Sequence, residues 1–432
     1  MKYVSIILIL QCSIFAAIAS EETRLVIHEW GTFTSLQNDA GRALGGLNVD
    51  DEKLPSFVKT IGRDLIAVAN NNNKGFAFSH PDIAMRLETP VVYFHPAKSQ
   101  TLPMSLDFEV GFKGGWLTQF YPNAVFTAPG FSNNESNPGR ISETTFGTLA
   151  WRGLKLGVDA HVPLTKFNVW TAPRAVDAAT VVNAEGQAEK FLFYRGVGNI
   201  NAPLKVVRPS RQSGELLVQP QLDKALDSAA GMEVRTLWIA HFKPDGTSAF
   251  SVEHPKGFAL NSPEFKKADA GLKLSADFSP GQYGKENLSA LKKSMHDALV
   301  ADGLFADEAD ALLNTWETSY FKSAGLRLFF LVPHAWTDHY LPIKVSVPSA
   351  VSRVMVGRIE LVSPEQNAAL DQLAAATDVS DAGIPKMWPS IQALGRFKTP
   401  LLTDRLKNQP TPGMQRAANQ FALPSYNFGR HQ

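Results

Sequence analysis

Apolar and polar positions change their spacing along the chain, and each spacing predicts a different element. Residues 25–34 are rich in β-branched and aromatic side chains, which is typical of a β-strand. In residues 54–68 the apolar side chains fall at helical spacing and Pro55 lies in the first turn, so we expect a helix there. The asparagines at 70–73 and Gly75 would end that helix.

From residue 88 to residue 253 the pattern changes to short strands separated by turn residues. Two hairpin turns are explicit, at 183–186 and at 244–246. Many short strands at this spacing predict an antiparallel sandwich or barrel, and no fixed-period repeat is present. The candidate strands cover residues 91–94, 104–110, 116–120, 149–156, 190–194, 204–207, 215–218 and 234–240.

The last third of the chain mixes helical and strand patterns. Apolar residues from 288 to 299 mark one helix and those from 309 to 320 mark a second, so the two should form a helical hairpin. Ser363, Pro364 and Gln366 supply an N-cap, a first-turn proline and a capping-box partner for a further helix. Strands are predicted at 326–332, 343–347 and 353–362, and more helical turns at 388–397 and 400–406.

These elements predict an α+β fold with an antiparallel β-sandwich-like region at its centre. We expect four consecutive segments: a signal peptide, an N-terminal strand–helix segment, the antiparallel β domain, and a mixed helix-and-strand C-terminal region. Their predicted boundaries are 1–20, 21–80, 81–260 and 261–432. A chain of 432 residues is long enough for two or three domains of about 100 to 200 residues.

The N-terminal residues have the pattern of a cleaved secretory signal. Lys2 precedes an apolar stretch with a small-residue exit at 17–19, and the stretch is shorter than the roughly 20 apolar residues of a membrane span. We therefore expect cleavage after Ala19 or Ser20, export to the periplasm or the cell exterior, and no transmembrane segment in the mature chain. Cys12 is the only cysteine, so the mature chain would have no disulfide, no cysteine-ligated metal and no thiol nucleophile.

Charge argues against a general attraction to nucleic acid. The chain has 42 basic and 41 acidic residues, and 19% of its residues are charged. Because Lys2 is the only charged residue among the first 20, removal of the signal leaves a formal charge of zero. Nothing in this balance steers the whole molecule towards a polyanion. We predict that the partner is a small molecule, a glycan or a protein, and not nucleic acid.

One stretch near the N-terminus resembles a sequence found in other proteins. The sequence H-E-W-G-T-F-T-S at residues 28–35 resembles a group of uncharacterised exported bacterial proteins that carry an E-W-G-T-F-T-S stretch just after the signal peptide. Similar stretches follow at 88–94, 115–122 and 331–342, so the resemblance extends over most of the mature chain. It implies a bacterial, exported setting, and it brings no activity, cofactor or catalytic residue.

Several catalytic signatures occur only in part. The S-x-x-K pattern at 56–59 has no K-T-G partner, and the G-x-G at 196–198 lacks the third glycine of a dinucleotide loop. Asp307 and Glu308 belong to a D-E-A-D stretch without a phosphate-binding loop, and acids in the first turn of a helix complement the helix dipole. The motifs therefore assign no reaction.

Two histidine clusters carry candidate chemistry. His28 and Glu29 are adjacent on the first strand and should point to opposite faces, so they share a site only with help from elsewhere. His334, Asp338 and His339 lie just beyond a buried strand, in a predicted loop. Imidazole and carboxylate groups bind zinc, iron or copper and act as acids and bases near neutral pH. The spacing matches no known metal site, so we predict no cofactor. Binding of a divalent metal ion is one interpretation of these histidines, and an exposed or helix-capping role is the other.

Three aromatic residues in the β region are candidates for ligand binding. Trp116, Phe120 and Tyr121 would form a platform for a sugar, because flat rings pack against the apolar face of a pyranose. Aromatic residues at strand positions also build cores, which is the alternative interpretation.

Two hypotheses for function follow. The first is a soluble exported bacterial protein that binds a ligand or partner without catalysis. The second is an exported hydrolase that uses His28, Glu29, His334, Asp338 and His339, with or without a metal ion. A position of His28 or Glu29 within about 5 Å of residues 334–339 in a concave pocket would favour the hydrolase, and a distant position on a convex surface would count against it.

Overall fold

The fold combines a large mixed β-sheet with several helices. The computed structural model describes residues 24–47, 49–50, 53–62, 67–68, 79–132, 138–210, 214–267 and 270–422. The predicted signal peptide and the asparagine run at 70–73 lie outside the described residues. Within the described part, fifteen strands form one sheet, accompanied by a three-stranded and a two-stranded sheet. The predicted α+β class is confirmed, and the finer description as a sandwich stays a prediction.

Eleven strands form the continuous path of the large sheet, and four short branches pair with it. From one edge to the other the path is β11 (Ala188–Glu189), β10 (Val181–Val182), β9 (Phe146–Leu156), β7 (Gly115–Tyr121), β12 (Leu192–Gly198), β5 (Met85–His95), β1 (Leu25–Gln37), β20 (Ser349–Leu361), β18 (Gly325–Leu331), β15 (Leu237–Phe242) and β16 (Ser248–Glu253). The branches are β3 (Lys59–Thr60) on β7, β6 (Met104–Lys113) and β8 (Val125–Thr127) on β9, and β19 (Ile343–Val345) on β6. The smaller sheets are β13 (Leu204–Val207) with β14 (Glu215–Pro220) and β17 (Leu272–Ser275), and β2 (Val49–Asp50) with β4 (Ala67–Val68).

The first strand, β1, lies at the centre of the large sheet. It runs antiparallel to β5 and parallel to β20, from Leu25 opposite Ser349 to Gln37 opposite Leu361. Every residue of β1 except Val26 is buried, because both faces of the strand are covered. A strand covered on both faces has a nearly continuous buried pattern. The predicted strand at 25–34 is therefore confirmed, and it continues to Gln37.

Strands and helices cover opposite faces of the central strands. On one face β6, β9 and the sheet of β13, β14 and β17 bury a cluster that includes Phe94, Phe108 and Trp151. The other face is covered by helices, which bury two further clusters, one around Trp30 and one around Trp116. The helices on this face are α1 (Asn168–Arg174), α2 (Asn287–Ala301), α3 (Ala306–Thr315), α5 (Pro364–Ala375), α6 (Ile384–Ala393), α7 (Lys398–Asn408) and α8 (Pro412–Phe421). The short helix α4 (His334–Tyr340) packs on the first face, where Trp336 belongs to the cluster of Phe94.

The predicted helical hairpin is confirmed in α2 and α3, which are consecutive and pack against each other. The second helix is shorter than predicted, because α3 ends at Thr315 and a π-helical turn, Glu317–Lys322, follows before β18. The capping box predicted at Ser363 and Gln366 is present at the start of α5.

The helix predicted at 54–68 is wrong for the described residues 53–62. These residues form a turn followed by β3, which pairs with β7. The Ile61 N–H donates to a backbone carbonyl of β7 at 2.8 Å. Phe57 packs on Trp170, with ring centroids 5.2 Å apart. The apolar side chains are thus buried along a strand edge, where tertiary contacts override the local helical spacing.

Candidate metal centre

His28 and Glu29 turn to opposite faces of β1, as strand alternation predicts. His28 turns towards the helices, and its Nδ1 lies 2.7 Å from Oε2 of Glu308 in α3. Glu29 contacts Tyr194 of β12 and Arg353 of β20. The two neighbours therefore belong to two different polar clusters.

His28, His95 and Glu308 form the first of these, called here the His–His–Glu cluster. His95 ends β5, and its Nε2 lies 3.0 Å from Oε1 of Glu308. Each of the three residues offers one ligand atom, and these atoms lie within 4.8 Å of one another. Among the described residues, this is the one group of histidine, cysteine or carboxylate side chains that could hold a metal ion by this measure. Three separate elements, β1, β5 and α3, position it.

The turn before α3 places Glu308 over the sheet. Gly303 has a φ of 118° and allows the sharp reversal between α2 and α3. The Phe305 N–H then donates to Oε2 of Glu308 at 2.8 Å, so the carboxylate is fixed in the first turn of the helix. Acids in the first turn of a helix complement the helix dipole. The Glu308 carboxylate is also hydrogen-bonded to the imidazoles of His28 and His95.

The cluster lies directly beneath one aromatic ring. The Phe305 ring is centred 4.5 Å from the ring of His28 and 5.0 Å from the ring of His95. Glu308 is fully buried and the His95 side chain is 14% exposed, whereas Phe305 is 48% exposed. Phe305 therefore separates the cluster from solvent.

Hydrogen bonding keeps the buried carboxylate ionised. Burial alone would raise the pKa of Glu308, but hydrogen bonds from His28 and His95 outweigh burial and hold that pKa below its usual value. Two imidazole nitrogens and one carboxylate oxygen are suitable ligands for zinc, ferrous iron or copper. Ligand atoms about 2.1 Å from an ion would lie roughly 3.4 Å apart in a tetrahedral site, so small shifts of these side chains would admit one.

Glu29 belongs to a buried ion pair. Arg353 donates from Nε to Oε2 of Glu29 at 2.6 Å, and the Tyr194 hydroxyl donates to Oε1. Burial raises the pKa of Tyr194, and the charge of Glu29 raises it further. Glu29 is 1% exposed and Arg353 is 5% exposed, so this pair ties β1 to β20 inside the core.

Residues 334–339 lie on a short helix, α4, and not on the predicted loop. Asp338 reaches the Glu29 pair, because Arg353 also donates from Nη1 to its Oδ1 at 2.9 Å. His334 instead pairs with Asp302 at 3.1 Å, and that hydrogen bond raises the pKa of the imidazole. Burial lowers the pKa of His339, whose ring lies against Tyr340.

The five candidates proposed from sequence therefore divide among several sites. Arg353 connects Glu29 with Asp338, His28 joins His95 and Glu308, and His334 and His339 lie elsewhere on α4. The hydrolase hypothesis stays a prediction, and of its two strand residues Glu29 is the one connected to residues 334–339, through Arg353.

The predicted aromatic platform is wrong. Trp116, Phe120 and Tyr121 are all buried, at 0%, 1% and 2% exposure. The Trp116 Nε1–H donates to the backbone carbonyl of Pro129 at 2.8 Å, inside the molecule. β7 lies within the sheet path and is covered on both faces, so these rings belong to the core and no sugar can stack on them.

Sequence reasoning missed His95 and Glu308. His95 follows a predicted strand at 91–94, and Glu308 was explained by the helix dipole alone. Antiparallel pairing of β1 with β5 brings His95 near His28, but a single sequence gives no signal for that pairing.

No protein-family model fits the chain, and no curated protein matches it. Within the part of the chain that the structure describes, no helix combines the length and apolar character needed to cross a bilayer.

Proposed function

We propose that the chain is an exported protein that binds one first-row divalent metal ion through His28, His95 and Glu308. The observation that carries the proposal is the convergence of three ligand atoms, from three separate elements, within 4.8 Å of one another. Their chemistry favours zinc or ferrous iron over the oxygen-preferring magnesium and calcium. Binding without catalysis is the leading role, because Phe305 covers the cluster. The exported setting is part of the proposal and rests on the sequence of residues 1–20.

The ionised carboxylate supports binding of a cation. The Glu308 pKa is held low, so the group is charged and ready to ligate at neutral pH. It is also fixed by the backbone N–H of Phe305, an outer-shell contact of the kind that orients metal ligands.

Metal-dependent hydrolysis is the second candidate function. Three protein ligands leave one tetrahedral position for water, as in catalytic zinc sites. That water would gain access only if the Phe305 ring moves. Hydrolysis of a simple aryl ester by zinc-loaded protein, absent in the metal-free form and in Glu308→Gln, would favour this candidate.

Metal titration tests the proposal. Mature protein purified without a histidine tag would be stripped of metal, then titrated with Zn²⁺ by calorimetry and with Co²⁺ by visible absorption. We expect one equivalent to bind, with Co²⁺ bands that report nitrogen and oxygen ligands. His95→Ala and Glu308→Gln should each weaken binding by more than the roughly 10- to 100-fold that loss of an outer-shell partner costs, because each variant removes a coordinate bond.

His161→Ala provides the matched control, since it removes an exposed imidazole that is not one of the three cluster residues. His161→Ala should bind Zn²⁺ like the wild type. The proposal fails if no stoichiometric binding occurs, or if His95→Ala binds as tightly as His161→Ala. In that event the cluster is a hydrogen-bonded His–Glu–His arrangement that only stabilises the fold.

A further inference from the structure

A second site lies at the far edge of the large sheet. A cavity of about 420 Å³ opens between the end of β15, the start of β18, the first turn of α5 and residues 276–283. Its volume lies at the lower end of the range for small-molecule pockets, about 300 to 1,000 Å³. It shares no lining residue with the His–His–Glu cluster, so its role is independent of the proposed metal centre.

Tyr283, His241 and Glu365 form one wall of the cavity. His241 is 8% exposed, and its Nδ1 lies 2.8 Å from the Tyr283 hydroxyl. Its Nε2 lies 3.8 Å from Oε2 of Glu365, whose side chain is 62% exposed. Burial lowers the pKa of His241 although Glu365 opposes the shift, so the imidazole is neutral at pH 7. The His241 ring therefore adds no charge to the cavity.

Charges of both signs line the cavity. The Lys243 ammonium lies 3.5 Å from the centre of the Tyr283 ring, and within the described chain no carboxylate forms an ion pair with it. Asp277 and Glu365 supply two carboxylates. Arg208 is already bound to Asp39, at 3.2 Å. The charges available to a ligand are thus one ammonium and two carboxylates.

The rest of the lining is apolar. Phe278, Pro280, Leu326 and Pro364 contribute carbon surface between the charged groups. A simple anion would be repelled by the carboxylates of Asp277 and Glu365, and a simple cation would be repelled by the ammonium group of Lys243. A molecule with both charges and an apolar body would find a complement for each part.

We propose that this cavity binds a small dipolar molecule of the amino-acid class, with its carboxylate on Lys243, its ammonium group on Glu365 and Asp277, and its apolar side chain on Phe278 and Leu326. This assignment uses only groups that line one cavity, and it does not depend on metal.

Three matched probes test the assignment by calorimetry on metal-free mature protein. L-leucine carries both charges, N-acetyl-L-leucine carries only the carboxylate, and L-leucinamide carries only the ammonium group. L-leucine should bind about tenfold or more tightly than either analogue, which is the factor expected for one charge-assisted hydrogen bond. No binding of L-leucine at millimolar concentration, or equal affinity for all three probes, would overturn the proposal.

Two variants separate a binding role from a structural one. Lys243→Met should weaken L-leucine to the level of L-leucinamide and leave L-leucinamide unchanged. Glu365→Gln should weaken L-leucine and L-leucinamide and leave N-acetyl-L-leucine unchanged. The exposed Lys285→Met is the control and should bind all three probes like the wild type. Loss of all three probes together in Lys243→Met would contradict the assigned roles.

Discussion

Phe305 determines how the His–His–Glu cluster meets solvent. The ring contacts both histidines, and it is half-exposed while Glu308 beneath it is fully buried. The backbone N–H of the same residue, not its side chain, holds the carboxylate. The side chain can therefore be removed without loss of the ligand geometry.

Phe305→Ala should accelerate metal exchange. Removing the ring opens the cluster, so EDTA should strip bound Zn²⁺ about tenfold faster or more, which corresponds to ~1.4 kcal/mol of barrier. The equilibrium affinity should change less than the rate. Stopped-flow chelation measures the rate, and Phe146→Ala, which removes another half-exposed ring, is the control. An unchanged stripping rate would show that the ring does not limit access.

Glu308 should make stability depend on acid pH. Its pKa in the folded protein lies below the value of about 4.3 expected for an unfolded chain. The resulting stabilisation is fully present above that unfolded value and is lost as the pH falls through the folded pKa. Urea unfolding of metal-free protein at pH 7, 5 and 3 would measure the loss. Glu308→Gln should show a smaller drop over the same interval, and an identical drop would contradict the assignment.

For single residues, the sequence predicted which face of a strand a side chain occupies better than it predicted which residues that side chain contacts. Alternation along β1 correctly separated His28 from Glu29. The partners of these two residues, Glu308 and Arg353, are 280 and 324 residues away, and local spacing has no information on such contacts. Trp116 shows the same limit, since an aromatic strand residue gives one pattern whether it faces a ligand or a core.

At the scale of elements, the Glu360 carboxylate connects several strands and helices, because three arginine side chains donate to it. Its Oε1 accepts from Arg358 of the same strand, from Arg327 of β18 at 2.6 Å, and from Arg396 beside α6 at 2.8 Å. Glu360 and Arg327 are buried almost completely. One carboxylate thus joins β20, β18 and the C-terminal helices, and its neutralisation would leave several buried guanidinium groups uncompensated.

Glu360→Gln should destabilise the fold strongly. Breaking a buried pair from one side costs about 3–5 kcal/mol of unfolding free energy, because the remaining charge stays buried. Guanidinium chloride unfolding followed by tryptophan fluorescence measures the change. Glu215→Gln is the control, since Glu215 pairs with Lys273 at 3.5 Å with both side chains about half or more exposed, and its loss should cost under about 1 kcal/mol. Equal effects of the two variants would contradict the role given to Glu360.

Elements were predictable where local pattern and tertiary environment agree. Local pattern and tertiary environment agree for β1, for the α2–α3 hairpin and for the capping box of α5, and these were predicted correctly. Pattern and environment disagree for the predicted helix at 54–68, because in its described part, residues 54–62, the chain pairs with β7 and Phe57 packs on the ring of Trp170. The π-helical turn after Thr315 was also missed, since its apolar spacing continues that of α3.

In the whole molecule, one sheet joins the three segments predicted between residues 21 and 432. β1 belongs to residues 21–80, β5 to residues 81–260 and β20 to residues 261–432, and the three strands are neighbours. The α+β class was predictable from the mixture of patterns. The strand order was not, because it depends on pairings between distant residues.

We expect the chain to unfold in a single transition. Since the central strands come from every segment, no segment has a complete core of its own. Scanning calorimetry should give equal calorimetric and van't Hoff enthalpies, provided that unfolding is reversible. Residues 81–260 expressed alone should lack a cooperative transition. A stable, folded fragment 81–260 would contradict this expectation and would support the predicted segment as a domain.

The parallel pairing of β1 with β20 also sets the order of events during synthesis. Arg353 meets Glu29 across 324 residues of intervening chain, so the centre of the sheet cannot close until almost the entire polypeptide has left the ribosome. Until then β1 lacks one of its two neighbours, and the native state is out of reach for every shorter nascent chain. If the chain is exported as proposed above, a nascent polypeptide that has not closed its central sheet is in the condition in which it can be threaded through a narrow translocation channel.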